Sequence, residues 1–243
     1  MPIDRGPVMA MPVEEVSSPE DLHAFYKALF IAHGESEREA EEDADWNVKN
    51  RQRVASNNRF FVIRDENGSI IAGGELRIDD HAGQKEAYGG QKFVAPELRN
   101  QNIAAMLDAK GLEVAKQAGC TQVWGVVGMN SGAALRSAFK GGIVLRGVRN
   151  EETGQEDNPD CYYVSRSLVE AAGGPKTVTP ADLVEAQRIR TINELQSPKA
   201  VLAPWADHAL VVEILKRGYV GKWLALPKDD PSITEPMIYF EKV

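Results

Sequence analysis

Between Lys92 and Leu107 an extended run closes at Pro96, and the short loop Arg99-Asn100-Gln101-Asn102 opens onto a helical apolar pattern that starts at Ile103. The amide N–H groups of a helix's first turn have no partners inside the helix. Together with the helix dipole they can receive a negatively charged group such as a phosphate. Arg99 would add positive charge there, although a plain loop-to-helix turn looks the same in sequence. Other reactive residue types are sparse. Cys120 and Cys161 are too few for a disulfide framework, lack metal-ligand spacing and read as reduced and structural. The histidines His23, His33, His81 and His208 form no His-x-x-x-His pair or His-Glu-x-x-His motif, so no metal is expected.

The elements that must position these residues belong to an ordinary globular chain. It has 243 residues, 43% of them hydrophobic and 26% charged, enough to bury a core without covalent staples. The formal charge of -8 argues against nucleic acid as a partner, because phosphate backbones are bound by excess lysine and arginine; a cationic or amine-bearing partner is electrostatically easier. No apolar run is long enough to cross a bilayer, so no membrane partner is expected. Met1 to Pro7 lacks a basic stretch followed by an apolar core, which makes a cytoplasmic location the expectation.

A strand is expected around Val8 to Val16, followed by helix-start chemistry at Ser17-Ser18-Pro19-Glu20. Leu22, Phe25, Tyr26, Leu29 and Phe30 then recur at helical spacing, and Ser36 to Val48 reads as a second, solvated helix. Phe60 to Ile63 and Ile70 to Ala72 flank Asp65-Glu66-Asn67-Gly68 and predict a hairpin, with both Asn67 and Gly68 suited to positive φ. A strand follows over Lys85 to Ala95, then a helix from Ile103 to Ala118 stopped by Gly119. A doubly covered strand over Val123 to Val127, a helix over Ala133 to Lys140, and strands at Ile143 to Leu145 and Cys161 to Val164 complete the series. The order predicts an α+β fold, a mixed sheet packed by helices.

The segment Lys92-Phe93-Val94-Ala95-Pro96-Glu97-Leu98-Arg99-Asn100-Gln101-Asn102-Ile103-Ala104-Ala105-Met106-Leu107 resembles the signature of the GNAT acyltransferase superfamily. There a strand ends, often at proline, and a loop of Arg or Gln, two residues, Gly, one residue, and Gly or Ala opens the next helix. Arg99 matches the first position and Ala104 the last, and Asn102 stands where glycine is usual. The resemblance continues through the hairpin, Ala118-Gly119-Cys120-Thr121, Asn130 and Lys140-Gly141-Gly142-Ile143, about two thirds of the chain.

The resemblance implies a GNAT-like mixed β-sheet flanked by helices and an N-acyltransferase. Acetyl-CoA or another acyl-CoA would be co-substrate, and a small-molecule or peptide amine would attack directly with a thiolate leaving. It places the CoA pyrophosphate on the N–H groups of Asn100, Gln101, Asn102, Ile103 and Ala104 beside Arg99. It places the pantetheine arm along the backbone of Phe93 and Val94, with Asn130 reaching the arm or the acceptor side; simple helix capping is the alternative for Asn130. The tyrosine that many relatives use as proton donor has no counterpart: Ser137 or Ala138 falls there, and Ser137 is the candidate donor against a plain exposed helix serine. Glu75 and Glu86 lie where a carboxylate would take the amine's proton, with Tyr88 and His81 near, though each also fits a solvent-facing position. A catalytically inactive GNAT-fold binding or assembly module is the alternative function, and a homodimer is compatible with either.

Beyond Leu168, Ala171 to Pro175 reads as a linker. A shift of 76 residues superposes Lys140, Gly142, Ile143 and Val144 on Lys216, Gly218, Tyr219 and Val220, and Tyr163 on Tyr239. The same shift lays the helix Ala105 to Gly119 on Ala181 to Leu195, and the following strand on Ala200 to Ala203. The chain is thus expected to comprise a GNAT-like acyl-CoA-binding domain over 8–168 and a C-terminal half-GNAT-like α/β extension over 175–243 packed on it. That half-repeat has no phosphate loop, and Trp205, Tyr219 and Trp223 are expected in its core or interface rather than as ligand contacts.

Overall fold

The computed structural model describes residues 11–51, 57–81, 83–149, 161–169 and 178–243. Two compact units divide the chain, Met1–Thr121 and Gln122–Val243. The division expected between 168 and 175 falls inside the second unit, and most of its linker lies outside the described residues.

The first unit begins with the short strand β1 (Glu14–Val16); residues 8–10 of the expected strand lie outside the described residues. Helix α1 (Pro19–His33) starts as its sequence predicts: the Ser18 hydroxyl accepts the Asp21 N–H, Pro19 occupies the first turn, and Gly34 ends the helix at φ 101°. Helix α2 (Glu37–Arg51) opens with a reciprocal cap, Ser36 Oγ accepting from the Glu39 N–H while the Glu39 carboxylate accepts from the Ser36 N–H. Its buried face is small, built on Ala40 and Ala44, which is why the apolar pattern of this segment is weak.

Strands β2 (Asn58–Arg64), β3 (Ile70–His81) and β4 (Gln84–Val94) follow β1 in a sheet ordered β1-β2-β3-β4, every pair antiparallel. The hairpin turn differs from the expected Asn-Gly pair. Only Gly68 takes positive φ, at 81°, while the Asp65 carboxylate accepts from the Asn67 and Ser69 N–H groups and its carbonyl from Gly68. The aspartate organises the turn and glycine closes it with a register shift, so asparagine needs no left-handed conformation. After a 3-10 turn at Pro96–Leu98, helix α3 (Ile103–Gln117) completes the unit.

The core beneath α1 is aromatic. The Phe25 ring meets Tyr26, Phe60 and Phe93 edge-to-face at 5.3, 5.2 and 5.6 Å. Gly73 on β3 leaves room for this cluster: a Cβ there would lie 2.7 Å from the Phe25 ring and 2.9 Å from Phe93.

The second unit contains β5 (Gln122–Gly128), α4 (Gly132–Lys140), β6 (Val144–Arg149), β7 (Cys161–Ser167), α5 (Pro180–Glu185), β8 (Gln187–Arg188), a 3-10 turn at Ile192–Glu194, β9 (Ala200–Pro204), α6 (His208–Lys216), β10 (Tyr219–Ala225) and β11 (Met237–Lys242). Its strands are ordered β5-β7-β6-β10-β11-β9-β8. Helices α4 and α6 start and end 76 positions apart (132 to 208, 140 to 216), as do the starts of β7 and β11 (161 to 237). The order β5-β7-β6 is mirrored by β10-β11-β9. At the centre Leu145 pairs directly with Gly221, its own counterpart under the shift.

The helix expected over Ala181 to Leu195 is a single short one. Thr179 and Asp182 form a capping box, but Ala186 leaves the helical region at ψ 134°. The chain then pairs in parallel with β9, the Ile189 N–H bonding the Leu202 carbonyl at 2.9 Å. Tertiary pairing that buries Ile189 completely overrides a locally helical composition. Tyr219 is core as expected, Trp205 and Trp223 pack partly buried against that core, and both cysteines are buried and outside any disulfide.

Tyr162 on β7 is fully buried, and its hydroxyl finds no hydrogen-bond partner among the described residues. Burial raises its pKa, so it stays neutral. Tyr162→Phe removes an unsatisfied polar atom without changing ring packing. It is expected to stabilise the protein by ~1–3 kcal/mol in urea unfolding; destabilisation would reveal a partner for the hydroxyl.

Candidate functional site

The sequence-predicted phosphate loop is assembled from the end of β4 and the start of α3. Val94 closes β4 opposite Ala72, and the Ala95 N–H bonds the Ile71 carbonyl, which fixes the strand end before Pro96 turns the chain. Asn100 and Asn102 both adopt left-handed backbone, at φ 66° and 62°. Asparagine is among the few residues that accept this region readily, so Asn102 reproduces the bend for which glycine is otherwise suited. The first helical bonds are made by the N–H groups of Ala105 and Met106, both to the Asn102 carbonyl. The N–H groups of Asn102, Ile103 and Ala104 therefore precede the helical ladder, the arrangement that receives an anion. Asn100 and Asn102 are exposed, Gln101 and Ala104 half-buried; the Ile103 side chain is core, so its backbone alone can serve a ligand.

Arg99 is tied to protein. Its Nε donates to the Val94 carbonyl at 3.2 Å and its NH2 group to the Ala32 carbonyl at 3.1 Å, in the last turn of α1. The guanidinium thus satisfies a carbonyl at a helix C-terminus and braces the loop against α1. Phe93 is likewise structural through its ring, which belongs to the Phe25 cluster; its backbone remains the candidate contact.

The two carboxylates predicted as bases occupy different positions. Glu75 sits in β3 beside a bulge of β4 at Gln91–Lys92, in register with Phe60 on one side and Gly90 on the other, only 7% exposed, with its carboxylate accepting the Asn58 amide at 2.6 Å. Directly paired residues share a face, so Glu75 lies on the Phe60 side, the side of the sheet that carries α1. Gly90 is four residues before Val94, ~13 Å along β4, whereas Glu86 is eight residues before it, ~27 Å away. Glu86 is half-buried opposite Asp79, near Cys120, whose thiol pKa is raised first by burial. Tyr88 stacks under the Arg77 guanidinium, 5.1 Å from its centroid, and His81 ends β3 with its side chain outside the described residues. Sequence alternation did not separate Glu75 from Glu86, because neither the bulge nor the partner Asn58 is legible from strand periodicity.

Asn130 and Ser137 belong to the second unit. Asn130 is exposed and does not cap α4: the N-cap is Ser131, and no side chain caps that helix. Ser137 is half-buried on α4, and its carbonyl accepts the Gly141 N–H. Among the described residues no group of three or more His, Cys, Asp or Glu side chains could hold a metal ion. No described helix is long and apolar enough to cross a membrane.

Comparison with known proteins agrees with this geometry. The family model described as "Acetyltransferase (GNAT) family" matches residues 20–139. A solved structure assigned to the GNAT acetyltransferases of Desulfovibrio desulfuricans aligns with a TM-score of 0.52 at 14% identity, over 65% of this chain and 99% of that one. Another, assigned as a phosphinothricin N-acetyltransferase, aligns with a TM-score of 0.50 at 16% identity, over 66% of this chain and 100% of that one. At these identities the likeness is one of fold. No curated protein sequence matches. The family match over residues 20–139, a segment that contains the β4–α3 junction with its unladdered amides, assigns that segment to the GNAT acetyltransferase family.

Proposed function

We propose that this protein is an acyl-CoA-dependent N-acyltransferase that moves an acetyl or other acyl group to an amine by direct attack. The observation that carries this reading is the start of α3, where left-handed turns at Asn100 and Asn102 leave the N–H groups of residues 102–104 ahead of the helical ladder. The backbone of Phe93 and Val94 leads into that site, and Asn130 and Ser137 are the second unit's candidates for the arm and for proton return to the thiolate. Bound acyl-CoA supplies the activated thioester. Glu75, buried and held by Asn58, is the better placed of the two carboxylates to accept the amine's proton.

The acidic α1–α2 segment suits an amine-bearing acceptor. Glu41 pairs with Lys27 and faces His23, while Glu35, whose pKa is raised first by burial, also feels the nearby carboxylates of Asp43 and Glu39.

CoA is expected to protect the protein thermally, because the amide site exists only in the folded state; ligand at a hundredfold excess over Kd adds ~2.7 kcal/mol. Arg99→Glu places a carboxylate against the Val94 and Ala32 carbonyls and beside the pyrophosphate. It should lower the melting temperature of the free protein and abolish the CoA-dependent increment. An unchanged increment in the variant would place the pyrophosphate elsewhere.

A further inference from the structure

Within the second unit, the two sides of the mirrored sheet treat one position differently. On the α4–β10 side the space is filled by the protein itself. The Arg136 guanidinium lies over the Trp223 ring at 5.2 Å and bonds Asp229 at 2.9 Å, and the Trp205 ring packs where a Cβ on Gly132 would be 3.1 Å away. On the α6–β6 side the same place is a cavity of about 560 Å³. Its lining residues Met129, Gly147 and Val212 are the counterparts, 76 positions earlier or later, of Trp205, Trp223 and Arg136. Two tryptophans and an arginine are thus replaced by a methionine, a glycine and a valine. A Cβ built on Gly147 meets nothing within 4 Å, so the lost indole is not replaced by neighbouring atoms.

The charges differ in the same sense. On the filled side Lys222 is neutralised by Glu241 at 2.6 Å. Its counterpart Arg146 lines the cavity and is exposed, and the counterpart of Glu241 is the uncharged Ser165. Among the described residues no carboxylate pairs with Arg146. Lys216 and Glu213, also at the cavity, bond each other at 3.1 Å and cancel, leaving Arg146 as the net charge beside the His208 imidazole.

We infer that this cavity binds a small planar aromatic carboxylate, with its ring against Gly147 where the other side carries Trp223 and its carboxylate on Arg146. The volume lies within the range of small-molecule pockets, and Met129, Val148, Val212 and Leu215 supply apolar walls. The site lies wholly in the second unit and does not depend on acyl transfer.

Isothermal titration of the full chain with indole-3-acetate, indole-3-acetamide and tryptamine tests this. Indole-3-acetate should bind saturably, the neutral amide at least ~10-fold more weakly, and tryptamine weaker still, as expected for a charge-assisted contact. Arg146→Gln should reduce the preference for the acid over the amide to near unity. Gly147→Trp should fill the cavity and abolish binding while keeping the wild-type circular dichroism. Absence of saturable binding to wild type, tryptamine binding as tightly as the acid, or a folded Gly147→Trp that binds like wild type would each overturn the proposal. Should Gly147→Trp fail to fold, the acid-to-amide ratio of Arg146→Gln decides the matter, an unchanged ratio counting against it.

Discussion

Glu75→Gln is expected to lower turnover ~10²-fold or more at neutral pH while leaving acyl-CoA affinity unchanged, because only the proton-accepting step loses its carboxylate. Glutamine keeps the shape of the side chain, and its amide oxygen can still accept from Asn58, which bonds the Glu75 carboxylate at 2.6 Å. The fold should therefore survive, and the loss can be read as chemistry. Glu86→Gln is the control: half-buried and far along β4 from Val94, it should leave turnover within a few-fold. Thiol release at saturating acyl-CoA, followed for both variants with a panel of amines, separates the cases. Full turnover in Glu75→Gln would move the base elsewhere or mean that the amine arrives already neutral.

Phe25→Ala is expected to cost ~3–5 kcal/mol in unfolding free energy, the range for deleting a large buried aromatic side chain. The ring is fully buried and touches three others, and the Gly73 backbone closes against it, so little can collapse into the space left behind. Because Phe93 loses its neighbour, the end of β4 should loosen as well, which would appear as faster amide exchange at residues 93–95. Trp46→Ala is the contrasting surface change: that side chain is 63% exposed, and its loss should stay within about 0.5 kcal/mol. Urea unfolding of both variants measures the difference. A loss below ~1 kcal/mol in Phe25→Ala would mean that the aromatic cluster does not hold this unit together.

Local chemistry made much of this fold legible. Ser18, Pro19 and Gly34 bound α1 through capping and backbone rules that act within a few residues, and the apolar spacing of Leu22 to Phe30 marks its buried face. The hairpin was readable for its existence but not its geometry, since Asp65 rather than Asn67 shapes the turn. The segment after Ala186 reads as helix from sequence, because its strand partner, β9, is remote along the chain and only pairing reveals it. At the site, the spacing from Arg99 to Ala104 located the unladdered amides, but that arginine's bonds to Val94 and Ala32 depend on α1 lying alongside. The choice between Glu75 and Glu86 required the bulge and Asn58, both products of register rather than of local pattern.

An amide-resolved NMR titration of the full chain with CoA asks whether the start of α3 holds the pyrophosphate of an acyl-CoA. Saturable shifts are expected to be largest at the N–H groups of Asn102, Ile103 and Ala104, the groups that precede the helical bonds of Ala105 and Met106. Arg99→Glu should lose those shifts. Saturable binding whose largest shifts fall outside residues 93–104, or no binding at millimolar CoA, would contradict that placement.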